Sequence, residues 1–192
     1  MSPLLAPLYT KLYNDIVELR NTFLLPVNTG VLTAADQQHH DDIFRSEFRE
    51  LANANTRVLT LDGLVDSVVT LMGRCVHQGM RPFGMLMELQ PGPAFFMAEC
   101  IQAAHDLKMN FEGAWDEIHR SNLSKVCPNE ADFKKTKAHY AKLGVAVYGE
   151  ETPKGIVVKC SETVIGKDGN DYPKGKFLKS LSYTKPDLTP FI

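Results

Sequence analysis

The stretch "LTLDGLVDSVVTLMGRCVHQGM", residues 59–80, limits what the chain can fold into more than any other. Leu61, Leu64, Val65, Val68, Val69, Leu71, Met72 and Val76 recur at helical spacing and cover more than half of the helix circumference. A helix so apolar must be surrounded by other elements, so it becomes the centre of a helical bundle. The chain has 192 residues, 44% of them hydrophobic, enough to bury such a core as one domain with a small appendage.

The flanking segments supply partners. Leu5, Leu8, Leu12, Ile16, Leu19 and Phe23 form a stripe over residues 4–23 that Pro26 ends. A polar second helix is expected from Thr33, with Asp36 completing a capping pattern, to about Asn55. The central helix is expected to begin near Thr60. "RPFGMLMELQPGP" interrupts the periodicity with three prolines and two glycines, and two shorter helices and a polar one from about Asn129 to Leu143 follow. From Gly155 the period changes. "GIVVKCSETVIG" alternates as a strand, "KDGND" is a turn, and "YPKGKFLKSLSY" returns as a second strand. The expected fold is mostly α: a helical region over 1–150 and a Lys-rich, hairpin-like extension of the same domain over 151–192.

Charge and cysteines set bounds on function. Twenty-one basic against 23 acidic side chains leave a formal charge of -2, so no global field draws the chain to nucleic acid or membrane. Residues 154–185 nevertheless hold seven lysines and three acids. Cys75, Cys100, Cys127 and Cys160 form no CxxC pair, which argues for reduced thiols and against structural zinc. The start of the chain lacks a basic region followed by an apolar one, and no apolar run has spanning length. A cytoplasmic protein is expected, in the host cytoplasm if phage-encoded.

Two acid pairs carry the chemistry. Glu47 and Glu50 are three residues apart and Asp62 and Asp66 four, so each pair occupies one helix face. The linker "LANANTRVLTL" is short enough to make the two helices an antiparallel hairpin, in which the pairs can face each other. Alone, Glu47 and Glu50 read as a solvated face near Arg45 and Arg49, and Thr60 or Asp62 as a helix cap. Asp66 lies between Val65 and Val68, where an unpaired carboxylate is costly. Oxygen ligands at this density suit Mg²⁺ or Mn²⁺ better than zinc.

These acids, followed by "EIHRSNLSK" at 117–125, resemble the MazG-like, all-α nucleoside triphosphate pyrophosphohydrolases, the superfamily of phosphoribosyl-ATP pyrophosphohydrolase and the dimeric dUTPases. The tail "GKFLKSLSYTKPDL" is similar to the short closing segment of many members. The family pattern is E-x-x-E followed by E-x-x-D; Glu47, Glu50 and Asp66 match it, while the remaining Glu falls on Gly63 beside Asp62. The resemblance implies a (deoxy)nucleoside triphosphate cleaved to monophosphate and pyrophosphate. It implies Mg²⁺ held by Glu47, Glu50, Asp66 and Asp62, with Glu47 or Glu50 as base. It also implies phosphate or sugar contacts from Arg120, Asn122 and Lys125, a closing role for Lys176 and Lys179, a nucleotide contact from Asn28, and a homodimer or homotetramer. The stretch 81–111 is longer than a compact member needs, and a lid, a dimer contact and a base-selecting wall are its readings.

Local readings compete. Arg120 and Lys125 can complement a helix dipole, His119 can be an ordinary satisfied histidine, and Asn28 suits a turn. "HHDD" at 39–42 is similar to the His-Asp doublet of HD-domain phosphohydrolases, but no histidine precedes it. A non-catalytic nucleotide sensor or single-strand binder using the Lys-rich tail is the alternative. With few aromatics in the tail, nucleic acid is not expected as a partner.

Overall fold

The computed structural model describes residues 5–80 and 92–192. Within them are six α-helices: α1 (Leu5–Thr22), α2 (Ala34–Ala52), α3 (Arg57–Gln78), α4 (Pro93–Asp106), α5 (Phe111–Leu123) and α6 (Glu130–Lys142). Five short strands follow, β1 (Val147–Thr152), β2 (Gly155–Cys160), β3 (Val164–Ile165), β4 (Asp171–Tyr172) and β5 (Phe177–Leu178), and then a 3₁₀ turn, Thr189–Phe191. The fold is thus mostly helical with a small C-terminal antiparallel sheet. The proline- and glycine-rich segment lies largely outside the described residues, from 81 to 91, as does that part of the enlarged 81–111 stretch.

The chain divides into two compact units: residues 1–21, 25–119 and 187–192, and residues 22–24 with 120–186. The boundary expected after residue 150 falls inside β1, whose ladder to β2 holds both sides of that position together.

In the helical unit α3 is central. Leu61, Val65, Val68, Met72 and Val76 are fully buried against Leu12 and Ile16 of α1, Met97 of α4 and Trp115 of α5. Each such side chain contributes roughly 2 kcal/mol by leaving water. The helix starts at Arg57, capped by the Thr56 hydroxyl on the Leu59 amide at 3.2 Å, so neither Thr60 nor Asp62 is needed as a cap. The capping pattern of α2 is present in full: the Thr33 hydroxyl accepts from the Asp36 amide and the Asp36 carboxylate accepts from the Thr33 amide, both at 3.1 Å. The Thr33 hydroxyl, which also donates to the Asp36 carboxylate at 2.6 Å, and then the Thr33 amide hold the Asp36 carboxyl below its ordinary pKa. Among the described residues no helix is long and apolar enough to cross a membrane.

In the second unit β1 and β2 form the main hairpin, in register from Val147↔Cys160 to Thr152↔Gly155, and β5 pairs with the far edge of β2. Sequence periodicity placed the hairpin one strand late. "KDGND" does turn the chain, but between the two-residue strands β3 and β4. The missed strand, "VYGEET", is half polar and has only Val147 buried, so it lacks the alternation of β2. Gly155 makes the ladder possible: its φ is 131°, and a Cβ there would collide with the Cys127 carbonyl, part of a bridge to Ile156. Val158, Cys160 and Leu178 pack with Tyr140 of α6 in a separate small core.

Candidate active site

Three contacts set the register of the α2–α3 hairpin. At one end His40 Nε2 and His77 Nδ1 lie 3.0 Å apart and Arg74 donates to Asp41 at 2.7 Å. At the other, Leu51 rests on Gly63, where a Cβ would come within 2.8 Å of the Leu51 Cβ and 2.9 Å of its Cα. Pairing 41 with 74 and 51 with 63 puts residue 47 across from residues 66–68. The four-residue repeat Asp62, Asp66, Thr70, Arg74 is the half-exposed stripe of an otherwise buried helix, so Asp66 escapes the core.

The expected meeting of the acid pairs is present. Glu47, Glu50, Asp62 and Asp66 line one cleft of about 260 Å³, with Asn53 and Leu59 at its margin. Burial first, and the negative Glu50 second, push the Asp62 carboxyl above its ordinary pKa. Among the described residues no group of three or more His, Cys, Asp or Glu side chains is drawn together tightly enough to hold a metal ion. The four carboxylates share a cleft without closing on one point. As a donor set they fit a hard divalent cation: all-oxygen, from two helices, in a cleft with room for water at ~30 Å³ each.

The departure at Gly63 has a steric cause. Where the family pattern has Glu, the close crossing of α2 leaves no space for a side chain, and the next residue along α3, Asp62, lines the cleft instead. Asn28 does not join this group. It sits in a left-handed turn with φ 55°, donates its amide to Val76 and accepts from the Tyr13 hydroxyl at 3.1 Å. Val76 is ten residues beyond Asp66, roughly 15 Å along α3.

The other expected site residues belong to the second unit. Serine and threonine hydroxyls join the end of α5 to the tail: Ser121 donates to the Thr184 carbonyl at 2.9 Å, Ser180 to the Ser124 carbonyl at 3.2 Å, and the Thr184 amide donates to Ser124 at 3.0 Å. Arg120 donates to the Thr184 hydroxyl at 2.6 Å, and Lys125 donates to Asn122. The two sequence segments that carried the resemblance, around 120–125 and 179–185, are thereby neighbours. Lys176 and Lys179 line a cleft of this unit beside Tyr140 and Tyr172. His119 meets Glu18 at 3.1 Å in the helical unit, its ordinary reading.

Sequence reasoning missed the buried pair His40 and His77. Burial, followed by the positive charge of Arg20, lowers both, His40 to about 4. Only the tertiary pairing reveals them, since "HHDD" reads as an exposed helix start. None of the four cysteines forms a disulfide and all are buried, and burial pushes Cys100 and Cys127 up to about 11, which leaves them protonated and poor nucleophiles at neutral pH. Comparison with family models, curated proteins and solved structures finds no match to this chain.

Proposed function

We propose that the protein hydrolyses a nucleoside triphosphate between its α- and β-phosphates, releasing the monophosphate and pyrophosphate. The observation that carries this reading is the single cleft shared by Glu47, Glu50, Asp62 and Asp66, in the chain order of the family it resembles. Glu47 and Glu50 from α2 and Asp62 and Asp66 from α3 would hold Mg²⁺ or Mn²⁺. Such an ion supplies positive charge to phosphate oxygens and makes water a stronger acid. Glu47 or Glu50 accepts the proton of the attacking water. The raised pKa of Asp62 supports the same reading: carboxylates crowded at a cost to stability are characteristic of sites built for a cation.

The resemblance assigns phosphate contacts to Arg120, Asn122 and Lys125; they belong to the second unit, and the proposal for the acid cleft of the helical unit does not draw on them. We leave Lys176 and Lys179 out of it because they line a cleft with aromatic walls. The resemblance also supports a homodimer or homotetramer; Ile43 and Phe48 on α2 and Phe95 on α4 are exposed apolar side chains that such an interface would cover.

The test is a panel of ribo- and deoxynucleoside triphosphates with Mg²⁺ or Mn²⁺, scored for pyrophosphate. Turnover of at least one substrate, lost in Glu50→Gln and Asp66→Asn with the fold intact, is the expected result. Folded protein that releases no pyrophosphate from any of them, or that keeps turning over in both variants, overturns the assignment.

A further inference from the structure

The near-neutral charge of the whole chain conceals a separation. The second unit carries thirteen Lys and Arg against seven Asp and Glu, a formal +6, whereas the helical unit carries eight against sixteen, a formal -8. The surplus of cations is far more than two or three phosphate contacts require. It is also combined with a cavity. A cleft of about 440 Å³ opens among Tyr140, Tyr172, Phe177, Asp171, Lys176 and Lys179, all of this unit. That is the size of a small-molecule site and large enough for one nucleotide. Of the rings at the cleft only Tyr140 comes from outside the lysine-rich tail; within the tail Lys176 Nζ lies 6.0 Å from the Tyr172 ring centroid, and Lys179 Nζ 4.6 Å from that of Tyr183.

We infer that the basic unit binds single-stranded nucleic acid, with one nucleotide seated in this cleft and the phosphates on either side held by the exposed lysines. The chemistry of the walls fits that ligand. Lys176 and Lys179 meet phosphate, while the half-buried Phe177 and the rims of the buried Tyr140 and Tyr172 give a base a small, sequence-tolerant apolar surface. Asp171 adds one negative charge to the lining, and its carbonyl accepts from Lys176 at 3.4 Å; the two lysines outweigh it. A free nucleotide would use the cleft and its two lysines, whereas the formal +6 of the whole unit attracts a longer polyanion. A strand engages both. This binding is independent of the acid cleft and requires no divalent cation.

The experiment measures binding of the full chain to a fluorescently labelled 20-mer of thymidylate by anisotropy, in EDTA. Binding is expected to weaken by about a hundredfold to three-hundredfold between 50 and 200 mM salt, as displacement of counter-ions from roughly five or six single-strand phosphates requires. Lys176→Glu combined with Lys179→Glu is expected to weaken it at least tenfold with the circular dichroism spectrum unchanged. Glu50→Gln should bind as the wild type does. No binding at 50 mM salt, or binding indifferent to the double lysine variant, overturns the inference. So does competition by thymidine monophosphate at the strand's own concentration, which would make the cleft a mononucleotide site, and so does equal competition by inorganic polyphosphate, which would leave no role for the base. A chain that binds the strand yet hydrolyses nothing sinks the pyrophosphohydrolase reading alone, and the reverse result sinks this one alone.

Discussion

The helical unit and the basic unit solve the problem of placing charge in different ways. In the helical unit carboxylates gather along one stripe of a central, mostly buried helix and its partner, where burial and mutual repulsion raise the pKa of Asp62. In the basic unit the charges are spread over α6, short strands and loops, and the small core holds no Asp, Glu, Lys, Arg or His. Its most distinctive carboxyl, Asp168, is held low by hydrogen bonds from Tyr172 and Asn170 at the surface. Crowded buried charge costs stability and is retained for chemistry, whereas dispersed surface charge costs little and serves attraction over distance.

The largest expected effect breaks the comparison at its acidic end. Glu50→Gln or Asp66→Asn should lower pyrophosphate release by at least about a hundredfold to a thousandfold. Strand binding by the basic unit should stay unchanged, and both readouts can be taken on one preparation.

Acid should separate the units next. His40 is at about 4 in the fold against an ordinary 6.5, so the unfolded chain binds more protons across that window. Stability from this group is complete above pH 6.5 and is lost as pH falls toward 4, by roughly 3 kcal/mol. His77 shifts in the same direction, and Arg20, His39 and Arg74 supply the repelling charge around the pair. Asp168 has the same sign in a lower window: its pKa, depressed by hydrogen bonds, keeps its contribution until pH falls through and below the usual carboxyl range. The single tryptophan, Trp115, belongs to the helical unit, so its fluorescence should report loss of structure at a higher pH than the signal of the sheet. Coincident transitions would refute this ordering.

Gly63→Ala is a purely steric probe. Its methyl group meets backbone and side chain of Leu51, so a loss of about 1–3 kcal/mol is expected in denaturant unfolding, together with lower turnover as the acids on α2 and α3 move apart. The smallest effect is a gain. Asp62→Asn removes a carboxylate that burial and Glu50 disfavour, and should raise Tm by roughly 1–3 °C while depressing activity. A fall in Tm would mean that Asp62 is held by favourable contacts.

The helices were largely legible. Thr33 with Asp36 marked the start of α2, and Asn129, whose side chain accepts from the Asp132 amide, marked α6. Local capping chemistry needs only neighbours in sequence, which is why it reads directly. The acid cleft was legible for the same reason: two helical spacings and a short linker leave few arrangements. β1 was not, because "VYGEET" acquires its structure from β2 and has no strong pattern of its own. The charge division was hidden as well, since a sum over the chain says nothing about which residues fold together.

By itself the sequence determined a central apolar helix, its helical neighbours, a late change to β structure, and two acidic helix faces joined by a short turn. These follow from periodicity and local hydrogen bonding, which act within a few residues. Tertiary structure alone decided that Gly63 must yield its place to Leu51, that His40 meets His77, and that Tyr140 reaches the Lys179 carbonyl of the tail. Such contacts depend on how closely elements far apart in the chain approach, and that distance is set by packing, which no local pattern encodes.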